Sequence, residues 1–220
     1  MAIIALLIGL LLPALAKARA KARQLKDATQ QSQIHKAWMT WSVDQPRGTM
    51  PTPGLANRLA INGVEVPGRG DEDYIQNTTA YVHALCIMQN YYDPEIVVGP
   101  TEQNGNVIVF DEYNYELYNV ANDLYWDTNM QCNLQSLSHV SFFSLPLAGE
   151  RKAREWRNSG NSKFAMVGTR GPLIMDPSAP PPEESITYEL HGGRRQWAGN
   201  VCFNDSHIAY YETMMPKELD

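Results

Sequence analysis

The sequence holds only three cysteines, Cys86, Cys132 and Cys202, and none stands in a Cys-x-x-Cys pair. That spacing excludes a zinc ribbon or a dithiol redox motif. An odd number leaves at least one thiol unpaired within the chain. One disulfide and three buried small hydrophobes both fit, and burial is the general habit of a free cysteine. Basic charge is scarce too: 18 Lys and Arg stand against 24 Asp and Glu, for a formal charge of −6. The bases cluster in Lys17–Lys26 and spread over no broad face, which excludes the electrostatic footprint of a nucleic-acid binder. Phosphate-cradling loops are missing, because Gly68-Arg-Gly70 is followed by neither a third glycine nor a Lys-Ser or Lys-Thr ending. His35, His83 and His139 are dispersed, and Ser136-x-Ser138-His139 lacks the glycines of a nucleophile elbow. No catalytic triad and no internal repeat can be named.

What the chain does have is an apolar run at its start, Ala2-Ile-Ile-Ala-Leu-Leu-Ile-Gly-Leu-Leu-Leu-Pro13-Ala-Leu-Ala16, followed at once by Lys17-Ala-Arg19-Ala-Lys21-Ala-Arg23. Such a run favours hydrocarbon or a buried core over water. It is short: at about 1.5 Å per residue it covers some 22 Å of a slab about 30 Å thick. A secretory signal would carry its bases before the apolar core, and here they follow it. Ala16 to Gln33 continues in alanine, lysine and glutamine, all good helix formers, so one continuous helix is expected, with a kink at Pro13.

This opening resembles the second half of the N-terminal segment of type IV pilin-like proteins and type II secretion pseudopilins. The family's Phe-Thr-Leu-Ile-Glu-Leu-type start is not present, and Met1 stands where the family is mid-membrane, as a truncated start or the loss of processing would leave it. A second likeness lies near the other end. His191-Gly192-Gly193 and then Asn200-Val-Cys-Phe203-Asn-Asp205-Ser-His207 resemble the His-Gly-Gly and Asn-Val-x-Phe-x-Asp-Gly-His hairpin that closes a large group of bacterial pilin-like proteins. Here Ser206 replaces the usual glycine, and the spacer from His191 to Asp205 is longer than the familiar one. If the turn needs a positive φ, serine is costlier there than glycine.

Between these ends the remaining residues suffice for one modest domain. Leu25, Ile34, Ala37, Trp38 and Trp41 share a helical face that should dock on it. Val43 to Asp73 is dense in Pro and Gly and excludes long regular elements. Tyr74–Tyr92 returns to a helical pattern, stopped by Asp93-Pro94. Glu95–Pro100 is then expected to cross beneath a sheet. The strands of that sheet are expected at Val107–Phe110, Val140–Leu145, Phe164–Val167, Asn200–Phe203 and His207–Tyr211, with Asn204-Asp205-Ser206 turning the last two. Pro177–Pro182 reads as a protruding loop.

Other site chemistries are weaker. His191, Asp205 and His207 are ligand types for a metal, but local bracing of the turn and loop accounts for them. Asp71-Glu72-Asp73 and Asp111-Glu112 offer oxygen ligands to calcium without a matching pattern, so no cofactor is expected. Tyr113, Tyr115, Tyr118, Tyr125 and Trp126 are either a recognition surface or core.

The resemblance therefore implies an α+β pilin-like fold, with a long N-terminal membrane and assembly helix over 1–41 and a small antiparallel-sheet head over 42–220. Ala2, Ile3, Ile4, Leu6, Leu7, Ile8, Leu10, Leu11, Leu12, Pro13 and Leu15 form the assembly surface. It implies a structural subunit, not an enzyme, that is held by a single inner-membrane span with its head outside the cytoplasm and is partnered by other pilin-like subunits. The alternative is a membrane-anchored periplasmic binding protein or enzyme that uses the aromatic loops.

Overall fold

The computed structural model describes residues 2–56, 60–61, 64–65, 71–122, 124–174 and 180–214. One helix, α1 (Ala2–Val43), opens the chain and runs through Pro13 without a break. At 1.5 Å per residue it is about 63 Å long, so only its C-terminal half can lie on a domain of this size.

The expected inner-membrane span is overturned. Among the described residues no helix is long and apolar enough to cross a membrane. The helix has the length, but its uncharged part ends at Ala16 and Lys17 and Arg19 charge the next turn, which leaves about 22 Å for a slab of about 30 Å.

The head contains α2 (Pro53–Ala56), β1 (Ala60–Ile61), β2 (Val64–Glu65), α3 (Thr79–Met88), β3 (Cys132–Asn133), β4 (Leu137–Ser138), β5 (Phe142–Ser144), α4 (Gly149–Glu155), β6 (Ala165–Thr169), β7 (Gly199–Phe203) and β8 (Ile208–Tyr211). β1 pairs with β2 and β3 with β4 as small hairpins, and β5-β6-β7-β8 form an antiparallel sheet in sequential order. The fold is thus α+β, with a long N-terminal helix and antiparallel sheets.

Several expected elements shift for local reasons. The helix expected over Tyr74–Tyr92 is a short 3₁₀ turn, Tyr74–Gln76, and then α3. Thr78 separates them, its hydroxyl accepting from Tyr81 N at 3.1 Å as an N-cap. Val107–Phe110 forms no strand, and only Val107 bridges to Ser138. Asn104 curls this backbone, its side chain accepting from Asn106 N at 3.0 Å and its carbonyl from Val107 N at 2.9 Å. Pro94–Val97 is a 3₁₀ turn at the approach to β5, where Ser141 N donates to Val97 O at 3.0 Å. Of the two breaker-rich segments, Gly63, Pro67, Gly68 and Gly70, and residues 175–179 in the proline loop, lie outside the described residues. Pro180, Pro181 and Pro182 are exposed.

Both faces of the main sheet are covered. On one, α1 and α3 enclose the large core, in which the Trp38 ring lies 5.1 Å from that of Trp156 and 5.8 Å from that of His83. On the other, Tyr188 and Trp197 pack on Val201 and Phe203. The period of two along β7 divides its side chains: Val201 and Phe203 face this second cluster, whereas Asn200 and Cys202 face α1 and the large core.

Candidate functional site

The N-terminal half of α1 leaves the head as an apolar rod. Ile4, Leu7, Ile8, Leu10, Leu11, Leu12 and Leu15 are each 47–69% exposed. Pro13 is exposed with them, while the side chains of Ala2, Ile3 and Leu6 lie outside those described. Because apolar residues fill consecutive positions, the rod is apolar all round. A helix of that kind is ordinarily covered on every side.

The rod joins the head through a buried polar cluster centred on Asp27, which is 2% exposed. Its Oδ2 accepts from Asn200 Nδ2 at 2.7 Å, Gln31 Nε2 at 2.8 Å and Thr169 Oγ1 at 3.2 Å, and His191 Nε2 lies 3.2 Å away. Asn200 Nδ2 also reaches Gln24 O at 3.0 Å, and its own N–H donates to Thr169 Oγ1 at 3.1 Å. A carboxylate with this many donors is stable in the interior, and the geometry holds one turn of α1 against β6, β7 and the His191 loop. About two and three turns beyond Asp27, Ile34 and Trp38 are fully buried, and Ala37 and Trp41 pack beside them. Leu25, expected on the same face, is 57% exposed, because at about 3.6 residues per turn it stands nine residues from Ile34 and so on the opposite side of the helix.

The C-terminal motif is brought together around α1. The ring of His191 turns to Asp27, while its carbonyl accepts from Tyr210 OH of β8 at 3.2 Å, so it braces the helix as well as the hairpin. Gly193 N donates to Gln196 O at 3.2 Å. Gly192 has no room for a side chain: a Cβ would stand 2.0 Å from Gln196 O and 3.0 Å from Tyr188 O, both rigid backbone. Gly192→Ala is expected to destabilise the fold by about 3 kcal/mol, the upper part of the overpacking range. Thermal unfolding checks this, and an unchanged midpoint would contradict the packing.

Phe203 is buried and stacks on His207, with centroids 4.4 Å apart. Asp205 closes its own turn, Oδ1 accepting from His207 N at 3.1 Å and lying 2.5 Å from His207 Nδ1. Ser206 has φ 68, a left-handed conformation in which serine is costlier than glycine. Its hydroxyl lies 2.9 Å from His35 Nδ1, which ties the hairpin tip to α1.

No group of His, Cys, Asp or Glu among the described residues is arranged to hold a metal. Asp73 caps the Tyr74 turn, and Glu72 pairs with Lys152. Cys86 and Cys202 are buried, with burial pushing each thiol up to about 12, whereas Cys132 is exposed. The aromatic run divides: Tyr113, Tyr125 and Trp126 are core, and Tyr115 and Tyr118 remain 42% and 45% exposed. Sequence reasoning missed Asp27 altogether. The available signal was a lone acid in a helical stretch otherwise basic from Lys17 to Lys36.

Comparison with protein-family models, curated proteins and solved structures finds no match.

Proposed function

We propose that the chain is a structural subunit of a type II secretion or type IV pilus-like filament and assembles through the apolar half of α1. The observation that carries this reading is the exposed rod from Ile4 to Leu15. Burying each of its large side chains is worth about 1.5–3 kcal/mol, a drive the isolated chain leaves unused. Like helices packed side by side supply an all-round apolar environment. A heterologous contact of this kind repeats instead of closing, which gives a fibre. The head fits the role, because the Asp27 cluster and the Trp38 core hold it rigidly on the helix. The family resemblance of both ends supports the same reading.

Leu7→Asp with Leu11→Asp is expected to abolish assembly, measured as sedimentable material and as fibres in electron micrographs. The unfolding midpoint of the head should not move, since neither side chain touches it. Fibres formed equally well by this variant, or none formed by the wild-type chain, would contradict the proposal.

A further inference from the structure

Charge on this chain is segregated. No lysine or arginine occurs from Gly70 to Glu150, and no acid precedes Asp27. Some acids of the base-free stretch have internal work: Glu72 pairs with Lys152 and Glu102 with Arg170, while Asp127 accepts from Asn114 N and Asn129 N. Asp93, Glu95, Asp111, Glu112 and Glu116 are exposed and form no ion pair among the described residues. Asp111, Glu112 and Glu116 flank the exposed Tyr115 in sequence. Tyr115 is held above the usual phenol range by burial and then by the charge of Asp93. On α1, Lys17, Arg19, Lys21 and Arg23 are exposed and also lack an ion pair among the described residues, although Lys21 donates to Gln24 Oε1 at 2.8 Å and lies 5.8 Å from the Tyr210 ring centroid.

We infer that this acidic face, Asp93–Glu95 with Asp111–Glu116, receives the basic segment Lys17–Arg23 of a second copy of the chain. The inference rests on the filament reading and adds its register. Gln30 Nε2 donates to Glu95 O at 3.4 Å and to Val98 O at 3.1 Å, which fixes the Asp93–Glu95 turn at the level of Gln30 on α1. The middle of the basic segment lies about ten residues nearer the N-terminus, or about 15 Å along the axis. A continuous helix cannot close that distance within one chain. A parallel neighbour advanced by about 15 Å can, and its apolar rod of about 22 Å still overlaps the first. Lys26 and Lys36 stand on α1 across a groove from Asp93 and Glu95 without ion-pairing to them, so those carboxylates stay available. Tyr115 and Tyr118, 42% and 45% exposed, add aromatic surface on which cations can pack.

The test is zero-length carbodiimide coupling of the full chain, mixed as ¹⁵N-labelled and unlabelled protein, with linked peptides read by mass spectrometry. The expected result is mixed-isotope links from Lys17 or Lys21 to carboxylates between Asp93 and Glu116. Lys17→Glu with Lys21→Glu should weaken self-association about tenfold or more, as should Asp93→Lys with Glu95→Lys, and combining the two exchanges should restore it. Links confined to one isotope, or to other carboxylates, overturn the inference. Fibres that form without these links overturn it and leave the filament reading standing. Links that persist in Leu7→Asp with Leu11→Asp support it while overturning assembly through the apolar rod. A chain that never self-associates overturns both.

Discussion

Replacing Asp27 by alanine is expected to lower stability by about 4 kcal/mol, the range found when one partner of a buried charged cluster is removed. The cost comes from what is left behind. Asn200 Nδ2, Gln31 Nε2, Thr169 Oγ1 and His191 Nε2 all lie within 3.2 Å of one carboxylate oxygen. Without that oxygen they remain buried with fewer acceptors, at about 1–3 kcal/mol for each unsatisfied group. Asn200 retains Gln24 O, so the penalties do not all apply in full. Asp27→Asn keeps the shape and one carbonyl acceptor and should lose about half as much. Urea unfolding gives the free energies, and hydrogen exchange locates the change. Amides from Gln24 to Gln31 should exchange faster, while those around Ile34 and Trp38 stay protected by the large core. A loss below about 1 kcal/mol for the alanine variant would show that the cluster does not fasten the helix. A second consequence follows for assembly: a helix free to swing at Asp27 no longer presents its rod at a fixed angle to the head.

The parts of the fold that were legible are those fixed by local pattern. Alanine-rich continuity announced α1, the 3.6-residue spacing of Ile34, Trp38 and Trp41 announced its docking face, and Asn204-Asp205-Ser206 announced the turn between β7 and β8. Patterns that depend on distant partners were not legible. Asp27 is separated by more than 160 positions from His191 and Asn200, and nothing in a hydropathy pattern marks a carboxylate that will be buried by donors from another part of the chain. The aromatic run shows the same limit, since composition places Tyr113 and Tyr115 alike. Only the turn geometry sends the first inward, its hydroxyl donating to Ala84 O at 2.6 Å, and leaves the second outside. The membrane reading fails because no helix among the described residues is long and apolar enough to cross a membrane, the charges from Lys17 onward interrupting the apolar run.

Acidification from pH 7 to pH 5 is expected to remove about 4 kcal/mol of stability, through His35 and His83. Burial lowers both from the ordinary imidazole value of 6.5, His35 to about 4 against the opposing pull of Asp205, and His83 to about 3. Each ring has Nδ1 beside a hydroxyl, Ser206 Oγ for His35 and Tyr92 OH for His83, both at 2.9 Å. Each Nε2 is buried with no partner among the described residues, so the imidazolium form would carry an unpaired N–H inside the core. The sign follows from proton counting. Above pH 6.5 both histidines are neutral whether folded or not, and the stability is intact. Below 6.5 the unfolded chain takes up a proton at each site and the folded chain does not, so the fold loses about 1.4 kcal/mol per site per pH unit. The loss levels off near pH 4 for His35 and near pH 3 for His83. Over the first 1.5 units each contributes about 2 kcal/mol, a large share of a typical total of about 5–15 kcal/mol. Urea midpoints across this range measure the effect. The double variant His35→Gln, His83→Gln should be less stable at pH 7 yet show a flatter slope between pH 6.5 and 5. An equal slope in both proteins would assign the acid sensitivity to other groups. His139, also lowered chiefly by burial, would be the next to replace.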